Sequence, residues 1–586
     1  MKWEKVKDML SKNKTTLKKE SDLVFGVTVF LTALFSVYFY QVAWGWPIVD
    51  SYPQIERMLD SSYLTNDFHT NTFGDFSARL YIAYFFIFGS EFFQTHYTIF
   101  IGYANLLRIF LLTTAVFIFL NTVSKNKYVA LIGTFLGAVS FYSVPRMIAW
   151  FFSTPVISAA EISLIIIIFS TALIYQNKLS IGFLLLGLSM VIHPVVTIHG
   201  AGFAAILYFT KYGLGAYKKL FKVPVLLAFS FMAGTFLLNY IPYKNSLKGS
   251  TLLSSSEFTH IIGEVRHPHH YIPSMFGLEI WGLFLFYAAT FIYMSFKLKK
   301  QLAKSINTFI KYYLIYLSLV LVVGYIFVEV WPIKEVVTII PYRSLVFFGL
   351  VYLLLFSQYV FYKFKNKDYI SFLFLHLPFI PILAQDILVS SICMIVAFSY
   401  AILTDFLASR NIKLSIKIDQ YFFNRVNLNY FYLFIITFAL ASAYFGLGRG
   451  IAFNIPNINA KENEVYKWLN ENTPEESVVL AELDVDYLVN QKIRLISDRA
   501  VPISKDFPFN EKYYSDWNER YIDIYGGKYD NLNYINNMSE AELNDISKEY
   551  GVDYYLRTKK LKQSENVSLE KIIRMNEENV YIYMKN

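Results

Sequence analysis

A chain of 586 residues that is 55% apolar, with positive mean hydropathy, is not one soluble domain. Its one cysteine, Cys393, excludes an intramolecular disulfide and a zinc site of the cysteine-rich kind. The net charge of +9 is scattered over short loops, so it reports topology and excludes a nucleic-acid partner.

Residues 1–22 hold seven lysines and read as a basic cytoplasmic N-terminus, too long and lysine-rich for a cleaved signal peptide. The apolar run 23–43 that follows is expected to stay as an anchor. Next comes WGWPIVDSYPQIERMLDSSYLTNDFHTNTFGD, whose Asp50, Glu56, Arg57, Asp60, Asp67, His69 and Asp75 keep it out of hydrocarbon. Asp50 follows closely on the apolar run, after the rigid Trp46–Pro47 step. A carboxylate there faces water at headgroup level, where an enzyme acting on a lipid-linked substrate needs a base. The plainer reading is that Asp50 ends one helix and caps the next.

Further spans are expected near 97–121, 128–149, 153–175, 178–194, 196–213, 223–242, 276–296, 308–330, 342–363, 369–385, 387–406 and 429–447. Each is about the length that crosses a hydrocarbon core of roughly 30 Å, giving about 13 crossings in all. Lysine and arginine clusters at 125–127, 178, 211–222, 297–304, 363–367 and 410–425 separate these runs into pairs, which places the clusters in the cytoplasm. The apolar piece 76–93 breaks that pairing if it crosses. It is therefore expected as an interfacial or re-entrant helix closing the outer loop 44–96. The other outer loops are 243–275 and, shorter, 331–341.

From 457 to 586 the composition turns polar and tyrosine-rich. NEVYKWLNEN reads as an amphipathic helix, TPEESVVLAEL as a turn entering a buried strand, and KIRLISDR as a second strand. SEAELNDISKEYGVDYYLRT reads as helix, glycine turn and strand. Helices alternating with short strands predict an α/β domain, outside the cytoplasm by the span count.

The histidines cluster on the outer side: all nine but His376 fall in outer loops or outer span ends. The run Arg266, His267, His269 and His270 stands open to several readings: a metal site, a proton relay, a grip on an anion or hydroxyl, or plain loop structure. Arg79, Arg146, Arg266 and Arg343 lie on the side that the positive-inside bias disfavours. Either they bind phosphate through the planar guanidinium, or they pair with Asp50, Glu161, Glu264 or Glu329. Arg108, mid-span, is expected to pair inside the bundle. His193-Pro194 is placed to break a helix beside a cavity. Asp484-Val485-Asp486 has the form of a metal-binding triplet but stands far from any nucleotide signature, and no dinucleotide, P-loop or hydrolase-elbow motif occurs.

Taken together, GWPIVDSYPQI after the first span, FFIFGSEF closing the first outer loop, about 13 spans, and YKWLNENTPEESVVLAE opening a soluble domain resemble the GT-C superfamily of integral-membrane glycosyltransferases. RHPHHYIPS, DRAVPISKDFPF and SDWNERY are similar to an uncharacterised bacterial subfamily of it. The resemblance implies an α-helical polytopic protein of a bacterial or archaeal cell membrane. Its expected parts are a transmembrane domain at 23–447 and an extracytoplasmic α/β domain at 457–586. It implies inverting transfer of a sugar from a polyprenyl-phosphate donor to a glycan, lipid or protein acceptor, with Asp50 as general base and Asp67 as a second candidate. Arg79, Arg146, His193, Arg266, His267, His269, His270 and Arg343 would bind the donor phosphate. Asp50-Ser51 stands where relatives carry paired acids, so a divalent metal stays open. The rival readings are a flippase for a lipid-linked glycan, which the missing inverted repeat disfavours, and a non-catalytic envelope assembly protein.

Overall fold

The computed structural model describes residues 22–37, 52–77, 79–139, 157–250, 252–266, 268–379, 387–410, 428–447, 464–481, 489–503, 508–527, 534–561, 566–575 and 578–586. Among them, six helices are long and apolar enough to cross a membrane: Tyr97–Ser124, Val223–Ser246, Leu278–Leu298, Lys304–Val330, Lys334–Lys365 and Ser391–Ser409. Six shorter apolar helices accompany them, including Ala159–Tyr175, Leu179–Ile192 and Leu80–Phe92. The last falls within the piece expected at the interface. Its 13 residues extend about 20 Å, short of the hydrocarbon thickness.

One expected span is not continuous. In 369–385 the described chain forms a short helix, Tyr369–Phe374, and a 3-10 turn, Leu377–Phe379. Pro378 lacks the N–H that a continuing helix needs. Elsewhere glycine lets helices close up. A Cβ on Gly187 would lie 2.6 Å from the Phe231 ring and 3.2 Å from the Met232 Cα, so the contact between Leu179–Ile192 and Val223–Ser246 requires its absence.

Two groups of buried charges among the described residues of the bundle are paired, as burial demands. Arg108 meets Glu161 at 2.7 Å, both nearly without exposure. At another point the Lys363 ammonium donates to Asp368 (2.9 Å), the Ala401 carbonyl (2.8 Å) and Thr404 (3.0 Å), and lies 3.0 Å from Asp405. Asp405 also accepts from Tyr293 and Tyr359, each at 2.7 Å. This network ties together Leu278–Leu298, Leu345–Lys365 and Ile387–Ser409.

The C-terminal part holds a four-stranded sheet, β1 (Val479–Ala481), β2 (Tyr554–Arg557), β3 (Val567–Met575) and β4 (Glu578–Lys585), in the order β1-β2-β4-β3. β1 and β2 run parallel, and the other pairings are antiparallel. Alternation along β1 fills two cores. Val479 and Ala481 pack with Val465, Leu469, Ile493 and Ile496 on one face. Val478 and Leu480 pack with Trp517, Tyr521 and Leu543 on the other. The helix Glu464–Asn472, strand β1 and the Glu540–Tyr550 helix with Tyr554–Arg557 fall where the sequence places them.

KIRLISDR departs from expectation: it belongs to a helix, Val489–Ser497, and not to a strand. Ile493 and Ile496 share one helical face and point into the core. The Arg494 between the apolar residues, which gave the segment its strand-like alternation, is itself buried. The Asp484–Asp486 triplet lies outside the described residues, as do 448–463.

Candidate functional site

Asp67 begins the short helix Phe68–Asn71 as its N-cap, accepting from the Thr70 N–H at 2.7 Å. Its other carboxylate oxygen accepts from Arg494 Nε at 2.7 Å and from the Val501 N–H at 2.9 Å. Both side chains are fully buried. Asp67, expected as a second candidate base, is thus held in this structure by donors from its own helix and from the C-terminal part. Nearby, the Tyr63 hydroxyl donates to the Arg494 carbonyl at 2.9 Å, and Asn66 donates to the Glu476 carbonyl at 2.8 Å. The segment 63–67 is thus locked onto the α/β unit.

A second anchorage comes from residues 508–514. Asn510 donates to the Phe76 carbonyl (3.2 Å) and to Ser246 Oγ (2.7 Å). Buried Glu511 pairs with Lys334, and the Tyr514 ring lies 5.7 Å from Phe258. Asp75 accepts from Lys512 and Tyr513. The three loops 44–96, 243–275 and 331–341 thereby each meet the same short stretch of the C-terminal part.

At the centre stands Phe509. The Arg79 guanidinium carbon lies 4.7 Å from its ring centroid, the Arg266 guanidinium carbon 5.8 Å, and the His69 ring 6.4 Å. A ring face attracts cations and fixes their planes, so one aromatic side chain positions two arginines drawn from different loops. Arg266 closes the π-helical turn His260–Arg266, whose His260 pairs with Glu264 at 2.7 Å on the exposed side.

Arg343 approaches the same region from the 3-10 turn Pro341–Ser344. The turn follows Ile340, held at φ 52 in the left-handed region. That conformation costs on the order of 1–3 kcal/mol and has to be enforced by its surroundings. His199 helps, donating through Nε2 to the carbonyls of Ile339 (2.9 Å) and Ile340 (3.2 Å). Arg343 and Arg79 are the charged neighbours of His193. His193 sits half-buried in the extended joint between Leu179–Ile192 and Pro194–Tyr212, where it caps the second helix. Arg343 and Arg266 also act on the buried Tyr271 phenol: burial raises its pKa and the two cations pull it back.

Of the residues singled out in the sequence, Arg79, His193, Arg266 and Arg343 are thus brought together. His269 and His270 stand on the short helix Pro268–Tyr271, which also carries Tyr271. Asp50, Arg146 and His267 lie outside the described residues. Among the described residues no three His, Cys, Asp or Glu side chains gather as metal ligands. Sequence reasoning missed Tyr271 and Phe509 as individual residues, although both stand inside the phrases RHPHHYIPS and DRAVPISKDFPF. Chemically, three guanidiniums with a phenol and an imidazole are groups able to donate hydrogen bonds to the oxygens of an anion.

Residues 460–524 match a family model described as a domain of unknown function, DUF6798. No curated protein matches. The chain is similar to solved structures of an oligosaccharyltransferase from Archaeoglobus fulgidus. With AglB in complex with an inhibitory peptide and a dolichol-phosphate it shares 12% identity at a TM-score of 0.38, covering 92% of this chain and 69% of that one. With the form tethered to an acceptor peptide containing the NVT sequon it shares 12% identity at a TM-score of 0.40, covering 91% and 68%. The apo form gives 10% identity and a TM-score of 0.38, covering 92% and 69%. The functional reading rests on this chain's own residues.

Proposed function

We propose that this chain is a membrane glycosyltransferase of the GT-C type, transferring a sugar from a polyprenyl-phosphate-linked donor to an acceptor at the outer face. The observation that carries the reading is the gathering of Arg79, Arg266 and Arg343 with His193 and Tyr271, where the outer loops meet the C-terminal part. Asp50 takes the proton from the acceptor hydroxyl or amide, whose freed electron pair attacks the anomeric carbon. The bond from that carbon to the phosphate oxygen breaks, with inversion, and the polyprenyl phosphate leaves with the electron pair. Guanidiniums fixed where that charge grows stabilise the transition state more than the ground state.

The test uses the full chain in nanodiscs, with binding of a polyprenyl phosphate and sugar transfer from a radiolabelled polyprenyl-phosphate sugar measured separately. Asp50→Asn is expected to keep binding and to lower transfer by roughly 10²–10⁴-fold, the usual share of a general base. Unchanged transfer in that variant removes Asp50 from the mechanism. Flipping of the labelled lipid without any transfer makes the protein a transporter.

A further inference from the structure

A second site lies at the other end of the bundle. The helix Pro194–Tyr212 begins beside His193 and runs 19 residues, about 28 Å, before reaching it. There a partly open cavity of about 590 Å³ is lined by Lys125, Lys211 and Lys365, with Gln358, Tyr362 and Ser305 among its polar groups. We infer that this cavity binds the phosphate-bearing headgroup of an anionic molecule at the membrane face opposite the candidate active site.

Each lysine alone has a bland explanation. Lysines favour helix C-termini and the cytoplasmic side. The arrangement goes further than that. The three lysines come from the C-terminal ends of three separate helices yet line one cavity, and no Asp or Glu is among the described residues lining it. Lys211 is fixed in place: its ammonium donates to the Tyr175 carbonyl at 2.6 Å and lies 3.7 Å from the centre of the Tyr175 ring.

Independently, the 21-residue helix Lys304–Gly324 opens on the same cavity through Ala303, Ser305 and Ile306. Its N-cap is Ala303, and no side chain caps it. The N–H groups of a first helical turn carry partial positive charge and want an acceptor, which serine or aspartate would ordinarily supply. An anionic oxygen entering the cavity supplies it here, amid three lysines. The volume falls within the roughly 300–1,000 Å³ of small-molecule sites, which suits a headgroup better than a bare ion. Basic pockets between helices on the cytoplasmic side are where acidic lipid headgroups dock. The apolar Leu302, Ile306 and Leu354 on the wall suit the glycerol and first acyl carbons of such a lipid.

The experiment places the full chain in nanodiscs of phosphatidylcholine alone, of phosphatidylcholine with phosphatidylglycerol, or of phosphatidylcholine with added inorganic pyrophosphate. Retained lipid is read by native mass spectrometry and stability by thermal unfolding. Lys125→Gln with Lys365→Gln is the test variant, since both side chains are exposed enough to be replaced without unfolding. Lys299→Gln with Lys300→Gln, two exposed lysines outside the cavity, is the control. Phosphatidylglycerol is expected to be retained over phosphatidylcholine and to raise the unfolding temperature. The test variant should bind it roughly tenfold more weakly, while the control matches the wild type. Stabilisation by pyrophosphate alone, lost in the test variant, keeps the site and assigns it to a soluble phosphate. Equal retention of both lipids with no effect of pyrophosphate, or equal losses in the test and control variants, overturns the assignment.

Discussion

Asp67 and Arg494, separated by 427 residues of sequence, meet at 2.7 Å with neither side chain exposed to solvent. Removing one partner of such a pair leaves the other charge buried and unmatched, a loss of about 3–5 kcal/mol. Asp67→Ala or Arg494→Ala is therefore expected to lower the unfolding temperature and to make the C-terminal part separable by limited proteolysis. The double substitution should lose less than the sum of the single ones. Additive losses would mean that the two groups stabilise the fold separately.

Asp75 gives the same interface a dependence on acid. Partial burial raises its pKa, but the bonds from Tyr513 and Lys512 outweigh burial and hold the carboxyl below its ordinary value. A depressed folded pKa contributes stability above the unfolded value of about 3.9, and that contribution disappears as pH falls through the folded value. Resistance of the 508–514 segment to protease should thus decline below about pH 4. Asp75→Asn should be weaker at neutral pH and lack this particular decline. An acid profile identical in wild type and variant would take Asp75 out of the docking.

Phe509 is expected to matter through the two arginines that share its ring. Phe509→Leu keeps an apolar side chain and loses the ring face, worth about 0.5–2 kcal/mol per cation. Polyprenyl-phosphate affinity should fall roughly 2–30-fold per arginine released, with thermal stability close to wild type. Unaltered affinity would make the ring a packing residue only.

Arg266→Lys and Arg343→Lys separate a fork from a point charge. A lysine preserves the sign of the charge but cannot make two parallel bonds to one phosphate. Both variants should weaken binding of a polyprenyl phosphate, and full affinity in both would show that the site needs charge alone.

The network around Lys363 predicts an asymmetry typical of buried charge. Asp405→Asn leaves the ammonium with Asp368 alone of its two carboxylates and removes the partner of Lys297, and should destabilise the bundle in detergent by a few kcal/mol, whereas Lys363→Met with Asp405→Leu should recover part of the loss. Equal stability of all forms, measured by thermal unfolding, would rule the network out as a staple.

What could be read from the sequence divides along physical lines. Helices such as Tyr97–Ser124 and Val223–Ser246 are written in local composition, because a hydrocarbon-length apolar run has few alternatives. The arginines of the candidate site were legible through position alone, since a guanidinium on the disfavoured side needs a reason. Arg494 was not. Its neighbours Ile493 and Leu495 imitate the alternation of a strand, and the carboxylate that lets Arg494 be buried lies at the far end of the chain. The docking role of Asp67 was hidden for the same reason. No local pattern records a partner hundreds of residues away.

The position of Phe509 also sets a clock. Synthesis at about 5–20 residues per second needs on the order of 20–90 s to travel the roughly 430 residues from Arg79 to Phe509. Throughout that interval the spanning helices can insert and pack, while Arg79 and Arg266 still lack the ring that aligns them. A nascent chain in the membrane is therefore expected to hold anionic lipid carriers more weakly until Phe509 is in place. A message with a premature stop near codon 500 is expected to yield an inserted bundle with the same weakened hold.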